Sequence, residues 1–503
     1  MLFRQTVIKT AALAAALLCL VQCTAIPNYF ARTPAPAPAA AAIPLPNPRA
    51  GSPQLPPQRI TLDEAIEIAR RNNPSLVSGN WDIQTAAAQR NQAASARWPQ
   101  FTTTETWRNY LQDQRLQATR ANQEPGLFSK GILSADLVLK MPLFTGGQIR
   151  SDITAAEFQV LAAQNRLART WEELIFNISS AFYNILAQRK VVESLRFSRN
   201  AMIKQRQRVL DMMSVDKAAK VDVLRTEVRL ADLEQRLVRE QAVLDIQRRL
   251  LTTLLGVDLA AGPMEVEGDL RLRGPVPDLN GALAMAYAER GDYRSALASL
   301  EAQAMKVNSA RAARWPKLSL DGTIGMRAAT GIGDDGRVYT DRVNNATRWG
   351  KNPNPAYAGQ FNGGPIWPYP ASVWPVGSLA VVAEYPLFTG GRIASQIDEQ
   401  QAKLASAQAA LRKLALQIRL DVETALLNVS SARRRAQAMQ KAIEQAKESF
   451  RIEEQKYEVG KGTITDVLDA QAAMLDAETN YYKVVADYNI AVAQLGLATG
   501  EKR

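Results

Sequence analysis

A nine-residue phrase occurs twice in this chain. Met141-Pro142-Leu143-Phe144-Thr145-Gly146-Gly147-Gln148-Ile149 returns as Tyr385-Pro386-Leu387-Phe388-Thr389-Gly390-Gly391-Arg392-Ile393, 244 residues later. The same offset maps Asp222-Val223-Leu224 onto Asp466-Val467-Leu468 and Gly256 onto Gly500, so residues 141–256 match 385–500 without a gap. Upstream, Arg97-Trp98-Pro99 recurs as Arg314-Trp315-Pro316 at an offset of 217. The second copy therefore carries 27 additional residues, the difference between 244 and 217. A chain of 503 residues built this way reads as two versions of one unit rather than a string of unrelated domains.

Each copy runs in the same order. A helical lead, Thr61 to Ala96 or Asn280 to Ala313, stops at Trp-Pro, because proline disfavours helix at the residue before it. Two strand-like runs follow, over 100–144 and 317–388. In the first copy Leu133, Ala135, Leu137, Leu139 and Met141 share one face, opposite Ser134, Asp136 and Lys140; Leu379, Val381, Ala383 and Tyr385 repeat the pattern. The run after Trp98 is the least regular, since Glu105 falls on its apolar face. Alternation of this kind suits a membrane barrel with lipid outside and water inside, and equally a soluble antiparallel sheet with one face on a core. The 27 extra residues fall in the loop 331–376, expected at the extracellular mouth.

After Thr-Gly-Gly the apolar period changes from two to a heptad-like three and four. Ile153, Ala156, Val160, Ala163 and Leu167 lead on to Leu174, Ile178, Ala181 and Ile185, and Ile397 to Val429 repeat the stripe. The two glycine pairs, Gly146-Gly147 and Gly390-Gly391, mark the bend from strand to helix. A helix from there to Met213 would be ~100 Å long at ~1.5 Å per residue. It turns near Ser214–Lys220, or Gly460–Gly462, and returns to Gly256 or Gly500.

Composition removes most enzyme chemistry. Histidine is absent and the two cysteines are Cys19 and Cys23, so the usual zinc sites, Ser-His-Asp triads and thiol chemistry lack their residues. No catalysis, metal or cofactor is expected. The net charge of +12 comes from Lys and Arg interspersed with Asp and Glu, which reads as solvated helix faces and not as a nucleic-acid site. Arg4 and Lys9 flank an apolar run over 11–21, as in a secretory signal peptide ending at residue 25. Cys23 after Leu20-Val21-Gln22 is a competing lipidation site. A Pro/Ala-rich extended lead-in fills 26–59. No later stretch supplies the ~20 apolar residues of a transmembrane helix, which leaves a barrel as the way to span a membrane.

Taken in register, the duplication, Trp-Pro into a strand, Pro-Leu-Phe-Thr-Gly-Gly into a long helix, and the turn Tyr457-Glu458-Val459-Gly460-Lys461-Gly462-Thr463-Ile464-Thr465-Asp466 resemble the outer-membrane efflux protein (TolC-like) family over about residues 60–500. The resemblance implies an α+β architecture, a membrane β-barrel on a long α-helical coiled-coil barrel. Each protomer gives four strands, and a homotrimer closes twelve. The first repeat is then 60–262, with its helical hairpin over 146–256; a linker covers 263–279; the second repeat is 280–503, with its hairpin over 390–500. The implied role is an exit duct across the outer membrane for efflux or type I secretion, served by a periplasmic adaptor and an inner-membrane pump of RND or ABC type. A soluble periplasmic coiled-coil adaptor is the alternative, although an adaptor has one hairpin rather than two.

By the same resemblance, Asp466 and Asp469 form carboxylate rings at a periplasmic constriction, while a helix cap is the local alternative for Asp466. Tyr457 to Asp222 carries over as a gate latch. Lys217, Ala218, Gly460, Lys461 and Gly462 lie at the tips where an adaptor would touch. Here the chain departs from the family, whose second latch pairs an arginine with a threonine; Gly462 and Val221 occupy those positions.

Overall fold

Pro74 has no N–H to give a preceding carbonyl, and the chain uses it to restart a helix. The sequence predicts one lead helix per copy; the structure has two, α1 (Leu62–Asn72) and α2 (Pro74–Ser95), with Asn73 as the cap between them. The side chain of Asn73 accepts from the Ser75 N–H at 2.8 Å and donates to the Leu254 carbonyl at 2.7 Å. This ties the junction to the far end of the same unit. In a computed structural model the described residues are 59–117, 127–214, 216, 218–257, 265–272, 278–329, 338–339, 348–349 and 373–501. The signal segment 1–25, Cys23, the lead-in up to residue 58, Lys217 and most of the 331–376 loop lie outside them.

Beyond α2 come the strands β2 (Gln100–Gln117) and β3 (Leu127–Phe144), then α3 (Gln148–Ser214) and α4 (Lys220–Leu254). The second half runs through α5 (Leu279–Glu289), α6 (Gly291–Ala312), β5 (Lys317–Ala329), β8 (Val373–Glu384), α7 (Arg392–Glu458) and α8 (Ile464–Thr499). Short strands β1 (Arg59–Ile60) and β4 (Glu265–Val266) pair in parallel, and β6 (Val338–Tyr339) pairs with β7 (Arg348–Trp349). Helices α3 and α7 are both 67 residues long, so each spans about 100 Å at 1.5 Å per residue. The second β-run ends at Glu384, short of residue 388, opposite Lys317, where its partner strand β5 begins.

The four long strands form one antiparallel sheet in the order β2-β3-β5-β8. Its polar face carries Asp136 paired with Arg327, and Lys140 directly opposite Asp321. Its other face carries Phe101, Trp107, Leu133, Leu137, Met326 and Val381, all exposed; Ile324 is 72% and Leu379 71% exposed. Glu105 sits on this face, opposite Ala135. Among the described residues no helix packs on this apolar side.

Burial in the helices follows the heptad stripe. Ile418, Val422, Ala425, Val429 and Ala432 on α7 meet Tyr488, Ala491, Leu495 and Ala498 on α8, with Ala282 and Ala286 of α5 closing the cluster. Helix α3 packs against α2, α4, α6 and α8, and is buried on a broader face than α7. Where the halves meet, Arg290 at the α5–α6 break donates to Asp292 at 2.7 Å, to Asp421 at 3.1 Å and to the Ala498 carbonyl at 3.4 Å. Glu172 accepts from Arg169 at 3.2 Å and from the Gly291 N–H at 3.2 Å. Burial pushes the Glu172 carboxyl above its ordinary value despite Arg169.

At the bend, Gly146 and Gly147 have φ of 62° and 86°, and Gly390 and Gly391 60° and 84°. A side chain in this left-handed region costs about 1–2 kcal/mol. A Cβ on Gly146 would also lie 2.6 Å from Trp315 Cβ and 2.8 Å from the Ala312 carbonyl, whereas Gly147 has nothing within 4 Å. Gly147→Ala should therefore cost about 1–2 kcal/mol and Gly146→Ala clearly more. Thermal unfolding of the detergent-extracted protein, followed by its helical signal, checks the order; equal losses would contradict the contact with Trp315.

Candidate functional site at the hairpin tips

The ends of the two hairpins gather the polar side chains that the strands and helix shafts disperse. Helix α7 ends in a Schellman turn: Gly460, φ 71°, donates to the Tyr457 carbonyl at 3.0 Å, and Lys461 donates to the Lys456 carbonyl at 2.8 Å. These bonds satisfy two carbonyls that a helix end would leave bare. At the corresponding place after α3, Asp216 takes φ 54°, a left-handed conformation that aspartate tolerates better than most residues. Ala218, Lys461 and Gly462 are partly or fully exposed around the two turns.

Both returning helices open on the same device. The Ala219 N–H donates to Asp222 Oδ2 at 3.2 Å, and the Thr463 N–H donates to Asp466 Oδ2 at 3.1 Å. Thr463 adds its hydroxyl to Asp466 at 2.7 Å and accepts from the Asp466 N–H at 3.3 Å, completing a capping box. These bonds to Thr463 hold the Asp466 carboxyl below its ordinary value. The cap does not bury Asp466: it and Asp469, one turn on, are both exposed. Asp469 borders an open groove between α4 and α8 with Val221, Leu224, Arg225, Val228 and Asp232.

The expected Tyr457–Asp222 hydrogen bond is not formed. Asp222 is turned to its own helix, accepting from Ala219 and lying 3.8 Å from Arg225. The Tyr457 side chain is buried and its hydroxyl has no hydrogen-bond partner. Burial, with the charge of Asp222 behind it, pushes the phenol up from its ordinary value. The polar link between hairpins lies elsewhere. Arg225 donates to Thr465 Oγ1 at 3.1 Å, and Arg208 reaches Glu454 at 3.2 Å and Glu458 at 3.3 Å. Neither Lys461 nor Gly462 takes part in a side-chain bond to the other hairpin among the described residues. Sequence reasoning missed Arg225, although a signal was present: at the offset of 244 it stands where the second copy has Asp469, a reversal of charge between the copies.

Among the described residues no group of three His, Cys, Asp or Glu is placed to hold a metal, and no helix is long and apolar enough to cross a membrane. A sheet with an uncovered apolar face, carried on helical hairpins of about 100 Å, defines a membrane β-domain with a helical extension. The outer membrane efflux protein family model matches residues 65–257 and 377–501, and the chain belongs to that family. It is an outer-membrane protein of efflux. The chain is 22% identical to the outer membrane protein TolC of Vibrio cholerae over 439 residues, covering 87% of this chain and 90% of that one. It is 25% identical over 430 residues to the pyoverdine export outer membrane protein OpmQ of Pseudomonas putida, covering 83% and 81%. Among solved structures it is similar to the outer-membrane channel OprN, with TM-score 0.68 at 19% identity over 95% of this chain and 99% of that one. The Campylobacter jejuni CmeC outer membrane channel gives 0.69 at 15% identity, covering 87% and 85%.

A depressed carboxyl pKa stabilises the cap above the unfolded value and loses that stabilisation as pH falls through the folded value. Protection of the Thr463 amide against hydrogen exchange should thus hold at neutral pH and fade below about 3.8, the ordinary aspartate value. In Asp466→Asn that protection should be weak at neutral pH already. A Thr463 protection factor that ignored both pH and the substitution would remove Asp466 from the cap.

Proposed function

We propose that three copies of this chain close one twelve-stranded barrel in the outer membrane and continue inward as a helical tunnel, the exit duct for an inner-membrane pump of RND or ABC type joined through a periplasmic adaptor. The observation that carries this is the four-stranded sheet, apolar on an uncovered face and ended by unpaired edges at β2 and β8. Edges cannot face hydrocarbon unpaired, and joining copies edge to edge removes them. The internal duplication supports the reading, since two similar halves per chain make a near-uniform wall from three chains. The names of TolC, OpmQ and OprN place those relatives in the outer membrane or in export. A soluble adaptor has no use for a greasy sheet face.

The hairpin tips serve as the periplasmic gate. Asp466 and Asp469, exposed one turn apart on α8, are proposed to ring the constriction and favour cations there. Arg225–Thr465 and Arg208–Glu454/Glu458 hold the hairpins together within each chain, with Tyr457 packed near Asp222 as the apolar part of the latch. Ala218, Gly460, Lys461 and Gly462, with Lys217, form the adaptor-facing ends. No step in this reading requires catalysis or a cofactor.

Planar-bilayer recording tests the gate. Asp466→Ala with Asp469→Ala should reduce cation selectivity, and unchanged conductance, selectivity and block by multivalent cations would remove both residues from the constriction. Arg208→Ala with Arg225→Ala should raise the open fraction roughly fivefold, the equivalent of the ~1 kcal/mol that exposed pairs of this kind supply. Tyr457→Phe should leave the tip as closed as wild type or tighten it by roughly 1 kcal/mol, because it deletes an unsatisfied buried hydroxyl. Opening in Tyr457→Phe would show instead that the phenol binds a partner in the assembled tip.

A further inference from the structure

At the strand-to-helix bend of the first copy, apolar and cationic side chains line one cavity. Strand alternation sets the side on which it opens. Met141 lies opposite Leu320 on the apolar face of the sheet; a bulge follows, and Phe144 lies opposite Leu318, so the end of β3 keeps its apolar side chains on that face. Leu143 is 51% and Phe144 45% exposed. These two residues form one wall of an open cavity of about 640 Å³, and Arg97 at the end of α2 forms another with Arg150, Thr154 and Glu157 on the opening turns of α3. The three α3 residues are spaced by four and three, which puts them on one helix face.

The charges in the cavity do not cancel. Glu157 is held by Arg90 of α2 at 3.1 Å. The side chains of Arg97 and Arg150 have neither a hydrogen bond nor an ion pair among the described residues, and both are exposed. Guanidinium groups present paired N–H donors that match the oxygens of a phosphate. The second copy is built differently at this place. It repeats Arg97 as Arg314, but has Ala394 where the first copy has Arg150 and Asp398 where it has Thr154. Its additional cation, Arg392, stands at the position of Gln148, which does not line the cavity.

The cavity also lies where a lipid headgroup belongs. From Leu143 to the exposed Leu137 is about 20 Å of strand at ~3.3 Å per residue, and at a tilt near 45° this spans about half of a ~30 Å hydrocarbon core, one leaflet. We propose that the cavity binds an anionic glycerophospholipid of the periplasmic leaflet, with its phosphodiester between Arg97 and Arg150 and its acyl chains against Phe144, Leu143 and Leu137. This rests on the reading of the sheet as inserted in the outer membrane and adds a ligand to it. Two unpaired cations favour a lipid of net negative charge over a zwitterionic one, whose ammonium would stand against them. Bound there, the phosphate ties the end of α2 to the start of α3 and fixes the depth at which strand gives way to helix.

Native mass spectrometry of the full chain in mild detergent, titrated with phosphatidylglycerol or phosphatidylethanolamine of matched acyl chains, tests the site. Wild type should retain phosphatidylglycerol in preference to phosphatidylethanolamine. Arg97→Gln and Arg150→Gln should each weaken that retention roughly fivefold and together roughly twenty-five-fold, the scale of basic side chains at an anionic surface. Arg314→Gln should leave it unchanged. Thr154→Asp, which keeps both arginines and copies the residue of the second half, should also weaken it, so the test does not depend on the double variant folding. Equal retention of the two lipids, or phosphatidylglycerol held as well by folded Arg97 and Arg150 variants as by wild type, would overturn the proposal. Glycerophosphoglycerol, the same headgroup without acyl chains, should not displace the lipid at equal concentration; displacement would make this a site for a soluble phosphodiester instead. Flotation with liposomes separates the two readings: a chain that inserts into neither kind of liposome defeats the membrane sheet itself, whereas a chain that inserts into both and retains neither lipid defeats only the site.

Discussion

A backbone N–H or C=O left unpaired in hydrocarbon costs several kcal/mol, and the architecture is arranged around that cost. A sheet of four strands always has two edges, here β2 and β8. Alternation of apolar and polar residues prepares its faces for lipid and water, but nothing within one chain repairs the edges. The trimer proposed above would repair them by joining copies edge to edge. From this follow the glycine bends, which redirect each outgoing strand into a helix without breaking the ladder, and the need for long helices that keep the wall continuous beyond the membrane.

Legibility of the sequence divides along the range of the interactions. The strands and long helices were readable because each is dictated by period: two in Leu133 to Met141, three and four in Ile418 to Ala432. The break at Asn73 was not, because a cap with proline at the first helical position looks like a small dent in a helical pattern. It becomes decisive only through the bond from Asn73 to Leu254, some 181 residues away. At the tip, the family pattern pointed to a bond between Tyr457 and Asp222. The competing local demand won: Asp222 occupies the third helical position of α4, where its carboxylate satisfies the otherwise bare N–H of Ala219. A cap that costs one residue's rotamer freedom outcompetes a contact across hairpins. Arg225 to Thr465 escaped notice for the opposite reason, since neither residue follows the family's pairing and only the fold brings them together.

Comparing the copies shows which positions were free to change. At the boundary inside the chain, Glu172, Arg290, Asp292 and Asp421 make a partly buried ionic cluster. Their counterparts are Leu416, Asn73, Ser75 and Asn177, while Arg169, which pairs with Glu172 and Asp292, corresponds to Lys413, so one charge of the set is kept. Separating a buried ionic set leaves charges desolvated and alone, which is far more costly than separating apolar and amide groups. Within one chain the set is completed as the chain folds. In the trimer proposed above such a cluster would stand half-complete until assembly, so a set reduced to the single charge of Lys413 suits the open faces of α2 and α7.

The turns differ in the same spirit, but with backbone conformation as the currency. Gly460 enters the left-handed region at no steric cost, whereas Asp216 carries a Cβ there. The second hairpin is closed by a Schellman turn and a capping box on Thr463, and Arg225 of the first hairpin links the two tips. The first has Ala219 at the corresponding cap, which can offer its N–H to Asp222 but no hydroxyl in return. A gate needs one part that stays and one that yields. In the gate proposed above, the Asp216 turn, with its Cβ in the left-handed region, is the part that yields, and the bonds of Arg208 and Arg225 couple it to the second hairpin.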